Sequence, residues 1–190
     1  MTQNNSQLEK YICLITGASA GIGRAIAIQY AEMGWDLILT ARRTKPMIEL
    51  AEELERKHGT ISHIFEVDFF EKNATQKLFK NIKAKGLKVS GLVNNAGYGH
   101  PGVFLDSDWK DHEKFIQLMM TAPCELVRAL APEMVDNKFG RIINVASLAG
   151  HMPGSKGHTL YAGVKSFLIK FSESLNAEFY GSGVNVSALC

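Results

Sequence analysis

The chain has 190 residues, 46% of them hydrophobic and 21% charged, and a formal net charge of +2. That is an ordinary globular profile, enough to bury one core as a single domain over 1–190. The charge is too small to point to nucleic acid or a membrane surface as partner. Residues 1–10 are polar, unlike a signal peptide, and read as a loose tail. A strand from Tyr11 to Ile15 runs into a turn with glycines at 17, 21 and 23. Ile22, Ala25, Ile26 and Tyr30 then recur at helical spacing to about Met33, with Gly34 as the stop. Asp36 to Thr40 is a second strand, closed by Ala41-Arg42-Arg43. Pro46 fits the first turn of a helix reaching Lys57, and Gly59 ends it. Ile61 to Val67 is a third strand ending at Asp68, Asn73 to Lys85 a helix stopped by Gly86, and Gly91 to Asn95 a fourth strand. A loop from Tyr98 leads to a long helix over about Asp111 to Val135, with Pro123 in its interior. Arg141 to Ala146 is a fifth strand leading to Ser147, Tyr161 to Tyr180 a helix, and Val184 to Leu189 a sixth strand.

Strands alternating with helices predict an α/β fold, a doubly wound parallel sheet of about six strands with helices on both faces. Ligands of such sheets bind outside the carboxyl ends of the strands. The glycine turn, Arg42, Asp68, Asn94 and Ser147 all fall there. Glycine allows positive φ and close approach of a phosphate to the backbone, and the helix start beyond it offers unpaired N–H groups. The spacing Gly-x-x-x-Gly-x-Gly is, alone, weak evidence of a ligand, because a bare strand-to-helix turn also explains it.

Tyr161 and Lys165 lie four apart on one helix face. A tyrosine ordinarily titrates near about 10. A lysine cation about 4 Å away favours the phenolate by up to roughly 4 kcal/mol at an effective dielectric of about 20. Such a pair can exchange a proton near neutral pH, with a serine hydroxyl such as that of Ser147 holding a carbonyl oxygen beside it. Each residue alone also has a plain reading: Tyr161 on an amphipathic helix, Lys165 solvated, Ser147 a cap.

Together, Thr16-Gly17-Ala18-Ser19-Ala20-Gly21-Ile22-Gly23, Asn94-Asn95-Ala96-Gly97, Ser147 and Tyr161-Ala162-Gly163-Val164-Lys165 resemble the short-chain dehydrogenase/reductases, in order and near-family spacing. The resemblance covers about Tyr11 to Cys190. It implies a Rossmann-type fold and an oxidoreductase moving a hydride between a nicotinamide cofactor and a small-molecule carbonyl or alcohol. Tyr161 would be the acid/base. Lys165 would lower its pKa and bind the nicotinamide ribose, and Ser147 would orient the carbonyl. Gly17, Ser19, Gly21, Ile22 and Gly23 would hold the pyrophosphate, Asp68 would touch the adenine, and Asn94, Ala96 and Gly97 would support the cofactor's centre. An acid after the second strand commonly holds the ribose in NAD enzymes. Ala41 stands there, followed by Arg42 and Arg43, which can pair with a 2′-phosphate, so NADP(H) is expected over NAD(H). By the same analogy, the helices around 111–135 and 161–180 are a candidate homo-oligomer interface. Tyr98, His100, His151 and Met152 are candidates for the substrate mouth.

Cys13, Cys124 and Cys190 lie far apart, which points to reduced thiols and a cytoplasmic protein. No apolar run approaches the about 18 residues of a membrane span. The six histidines form no His-x-x-x-His pair and no metal site is expected; Ser147 lacks a Gly-x-Ser-x-Gly elbow. Two features depart from the family. Met119 stands where it usually has a catalytic asparagine that helps hold a proton-relay water. Pro123, four residues on, has no N–H to give the Met119 carbonyl, which would leave that carbonyl free for the water. The chain also stops at Cys190, before the family's Pro-Gly segment, substrate loop and seventh strand, so a C-terminally incomplete enzyme is expected. Met119 and that missing part favour the alternative, a catalytically weak or inactive cofactor-binding module.

Overall fold

The computed structural model describes residues 10–190. Of the tail expected at 1–10, only Lys10 lies within them, its ammonium donating to Gly59 O at 3.0 Å. Six strands form one parallel sheet: β1 (Ile12–Thr16), β2 (Asp36–Ala41), β3 (Ser62–Glu66), β4 (Val89–Asn94), β5 (Gly140–Val145) and β6 (Val184–Leu189). Their order is β3-β2-β1-β4-β5-β6. The order reverses between β1 and β4, which opens a crevice at their carboxyl ends.

The helices are α1 (Gly21–Glu32), α2 (Lys45–His58), α3 (Ala74–Ala84), α4 (Trp109–Ile116), α5 (Ala122–Asp136) and α6 (Thr159–Glu178). Strand alternation sends Cys13, Ile15, Leu37 and Leu39 to the face covered by α1 and α2. Leu14, Ile38, Leu92 and Ile142 face α3, α5 and α6 on the other side. Burial on both faces explains why the central strands read as near-continuous apolar runs. Among the described residues, no helix is long and apolar enough to cross a membrane.

Two local expectations change. The buried face of α1 is Gly23, Ala27, Tyr30 and Ala31, while Ile22 is 55% exposed. Small residues are needed where α1 approaches β1, so the bulkier Ile22 turns outward. The long helix runs unbroken over 109–136, as expected, but is not α-helical throughout. Between α4 and α5, residues Gln117–Thr121 form a π-helical turn in which Ala122 N donates to Gln117 O. Pro123 is therefore the second residue of α5, where a missing N–H costs little, rather than an interior residue of one α-helix.

Candidate functional site

A cleft of about 1020 Å³ opens at the carboxyl ends of β1, β2 and β4, beside the start of α6. Its wall at β1 is the glycine turn. Gly17 and Gly21 have φ of 67° and 57°, the left-handed region that disfavours side chains. At Gly23 the φ is unexceptional but space is not: a Cβ there would stand 2.5 Å from Gly17 O. Ala20 caps α1 without any side-chain bond, and no acidic residue sits in the first helical turn. The first N–H groups of α1 and its positive dipole end thus face the cleft uncompensated, a setting suited to an anion.

The turn is locked from β4. The Thr16 hydroxyl donates to Val93 O at 3.2 Å and accepts from Asn95 N and Ala96 N, both at 2.9 Å. The Asn95 side-chain amide donates to Thr16 O at 2.8 Å and Gly17 O at 3.3 Å. Asn95, Ala96 and Gly97 line the cleft. Asn94 does not. It is buried in the sheet and donates to Asn144 Oδ1 at 2.8 Å, and Asn144 donates to the Ser172 hydroxyl at 2.8 Å. Asn94 therefore ties β4 to β5, and through Asn144 to α6, from beneath the site.

Tyr161 and Lys165 line the opposite wall. The Lys165 ammonium is buried and donates to Val145 O, at the end of β5, at 2.7 Å. It lies 5.6 Å from the centre of the Tyr161 ring. Loss of hydration on burial pulls the Lys165 pKa down to about 8, with the neighbouring Cys190 opposing. Ser147 follows Ala146, itself a lining residue, and its Oγ accepts from Ala149 N at 3.2 Å, capping a 3₁₀ turn over Leu148–Gly150. That bond fixes the oxygen and leaves the hydroxyl proton free to donate.

Arg42, Arg43 and Asp68 line the far end, beyond β2 and β3. Asp68 Oδ1 accepts from Phe70 N at 3.1 Å. Met119 is buried beside Phe115 and Val164, and its sulfur packs so closely on Gly97 that a Cβ there would come within 2.6 Å. Of the mouth candidates, Tyr98 lines the cleft. His100 instead stacks on Phe115 and meets His112 at 3.3 Å, while His151 and Met152 are exposed. Among the described residues, Cys13, Cys124 and Cys190 are all free thiols.

A short chain dehydrogenase family model matches residues 11–190. The chain belongs to the short-chain dehydrogenase family. A short chain dehydrogenase of Pseudocercospora fijiensis is 35% identical over 189 residues, covering 96% of this chain and 59% of the relative. Sulfoacetaldehyde reductase 2 of Chromohalobacter salexigens is 34% identical over 178 residues, covering 93% of this chain and 69% of that protein. Among solved structures, a short-chain dehydrogenase from Sphingobium yanoikuyae in complex with NADPH superposes with a TM-score of 0.87 at 32% identity, over 94% of this chain and 69% of that one. The L-sorbose reductase of Gluconobacter frateurii, complexed with NADPH and L-sorbose, gives 0.86 at 28% identity, over 94% and 68%. This short-chain dehydrogenase chain thus spans roughly half to two thirds of the curated relatives it matches.

The sequence does not point to Asn144 or Ser172, and it names Thr16 and Asn95 only as motif residues, without the bonds by which they lock the turn. The Asn94-Asn95 pair did signal an amide; the even alternation of β4 shows which of the two points into the sheet and which reaches the turn.

Proposed function

We propose that this chain carries an NADP(H)-dependent oxidoreductase site for a small-molecule carbonyl or alcohol. One observation carries the reading: a buried lysine ammonium, a tyrosine phenol and an uncapped glycine-rich helix start share one cleft. The residues fit a dinucleotide, because Gly17, Ser19, Gly21 and Ile22 line the cleft at the uncapped helix start and would hold the pyrophosphate, while Gly23, buried and outside the lining, would serve by letting α1 approach the turn closely. Asp68 would meet the adenine, and Ala96 and Gly97 the middle of the cofactor, with Asn94 as their support in the sheet. Arg42 and Arg43 are exposed and in no ion pair among the described residues, so both are free for a 2′-phosphate. NADPH complexes among the structural relatives support the same choice.

When bound, the nicotinamide supplies or accepts the hydride. In the reducing direction the Tyr161 hydroxyl gives its proton to the carbonyl oxygen, and the Lys165 cation stabilises the phenolate left behind. One of the three Lys165 N–H donors is held by Val145 O, which leaves two for the nicotinamide ribose. Ser147, its oxygen fixed by Ala149 N, donates its hydroxyl proton to the same carbonyl oxygen. A single domain, a cytoplasmic setting and a homo-oligomer through α4–α5 and α6 belong to this reading.

One observation favours a catalytically weak cofactor-binding module instead: the Met119 thioether occupies the cleft wall and has no amide to order a relay water. Fluorescence titration with NADPH and NADH, with and without Arg42→Ala, tests the cofactor. Carbonyl-dependent NADPH oxidation, with Tyr161→Phe as control, tests the chemistry. Tighter NADPH binding that Arg42→Ala abolishes, and turnover that Tyr161→Phe removes, are expected. Equal binding of both cofactors overturns the NADP(H) preference, and tight binding without turnover selects the binding module.

A further inference from the structure

We infer that Phe70 is a positioning residue for cofactor selection, its ring holding the Arg42 guanidinium at the far end of the cleft where a 2′-phosphate would sit. The inference rests on the NADP(H) reading above. Arg42 Cζ lies 5.3 Å from the centre of the Phe70 ring. Arg42 is exposed, and among the described residues no carboxylate pairs with it. A long exposed side chain of this kind ordinarily samples many rotamers, and a ligand must order it on binding.

Phe70 limits that freedom because it is itself tied down twice. Its backbone N–H donates to Asp68 Oδ1 at 3.1 Å, fixing the turn after β3. Its ring meets Tyr98 edge-on at 6.0 Å, and Tyr98 meets the fully buried Phe115 edge-on at 5.4 Å. The platform under Arg42 is therefore anchored in the core. Neighbouring Phe69 is buried and belongs to the core itself, so the two successive phenylalanines have different tasks. An aromatic face attracts a guanidinium without neutralising its charge, and stacking leaves the N–H edge free for a bidentate phosphate. A carboxylate in the same place would hold Arg42 equally well but would compete with the phosphate. Arg43, also exposed, has no such platform among the described residues.

The test uses 2′,5′-ADP and 5′-AMP, which differ by the one phosphate in question, in calorimetric titrations of the protein. Phe70→Leu is expected to weaken 2′,5′-ADP about two- to fivefold more than it weakens 5′-AMP, the range for a partly exposed cation–π contact. Phe70→Trp, which keeps a face for the guanidinium, is expected to hold or raise the preference for 2′,5′-ADP. If Phe70→Leu weakens both nucleotides equally, or neither, the ring only packs and the inference is overturned. A preference lost in Phe70→Trp overturns it too, and serves where the leucine variant fails to fold. Arg42→Ala separates the two levels. If it leaves the 2′,5′-ADP preference intact, the NADP(H) reading falls with the inference. If it removes the preference while Phe70→Leu does not, the inference alone fails.

Discussion

Gly23→Ala isolates what the glycine turn contributes by packing from what it contributes by backbone freedom. A methyl on Gly23 would press on the Asn95 amide nitrogen and stand 2.5 Å from Gly17 O. Neither neighbour yields easily, since Gly17 O is backbone of the turn and the Asn95 amide is bonded to both Thr16 O and Gly17 O. Forcing the extra methyl in costs about 1–3 kcal/mol, and losing the two Asn95 bonds costs about 1 kcal/mol each. Against this, alanine inside a helix is favoured over glycine by about 1 kcal/mol. The steric loss wins, and a net destabilisation of about 2–4 kcal/mol is expected. Gly21→Ala is the control: its added Cβ meets nothing within 4 Å, but its φ of 57° is left-handed. It should lose only about 1–2 kcal/mol of backbone strain. Equilibrium urea unfolding of both variants measures the difference. A Gly23→Ala variant as stable as the parent, or more stable than Gly21→Ala, would refute the claim that close approach of α1 to the β1–β4 turn requires this glycine.

Three further outcomes are expected. The Lys165 pKa is about 8 in the folded chain against an ordinary 10.5, so from about 8 to 9 the unfolded chain keeps a proton that the folded chain loses and stability rises with pH, while above about 9 the buried Cys13 thiol, its pKa pushed up by burial, opposes the rise. Below about 8 both states are charged and the cost of burying the cation is constant; Lys165→Met should abolish the rise, and a slope that persists in the variant shows another group to be responsible. Asn144→Ala removes the partner of both Asn94 and Ser172 in the buried interior, a loss of about 2–4 kcal/mol in chemical denaturation; a change under about 0.5 kcal/mol would mean that this chain of bonds does not hold β5 to α6. Pro123→Ala restores an N–H to the turn after Met119. If the freed carbonyl serves a proton relay, turnover falls about a hundredfold with NADPH affinity unchanged, the low side of what a positioned proton path contributes; unchanged turnover in an active enzyme refutes the relay.

The fold was legible because its signals are periodic and redundant. Buried parallel strands, glycine stops such as Gly59 with its φ of 63°, and regular alternation placed every strand and helix of the sheet within about two residues. The face of α1 was not legible in the same way. Ile22, Ala25, Ile26 and Tyr30 recur at helical spacing, but the buried face is Gly23, Ala27, Tyr30 and Ala31, and only the close three-dimensional approach at Gly23 reveals that. The π-helical turn was hidden for a related reason. Pro123 announces a missing donor, yet the choice between a kink and a widened turn depends on how Phe115, Met119 and Val164 pack. Arg42 and the glycines could be found by their place at strand ends, and Tyr161 and Lys165 by their spacing of four on one helix. Asn95, Asn144 and Phe70 could not, because each acts by holding another group whose position the sequence does not give.

Those holding residues share a physical origin. At the carboxyl end of a parallel strand the ladder stops, and the last backbone groups must find other partners. At β1 and β4, the Thr16 hydroxyl and the Asn95 amide supply them. At β5, the last carbonyl is Val145 O, and the Lys165 ammonium supplies one. Two of the three groups that finish the sheet, Asn95 and Lys165, thus also line the cleft. A lysine on α6 held by a strand end keeps its ammonium in one place, and a glycine turn held by Asn95 keeps its N–H groups pointed at one place. Precision at the site then depends on the pairing of β1, β4 and β5 more than on the connecting loops. It follows that loosening β5 through Asn144→Ala should disturb Lys165 as well as stability. The rise of stability with pH should move to a different range in that variant, whereas a loop substitution at exposed Ser155 should leave it in place.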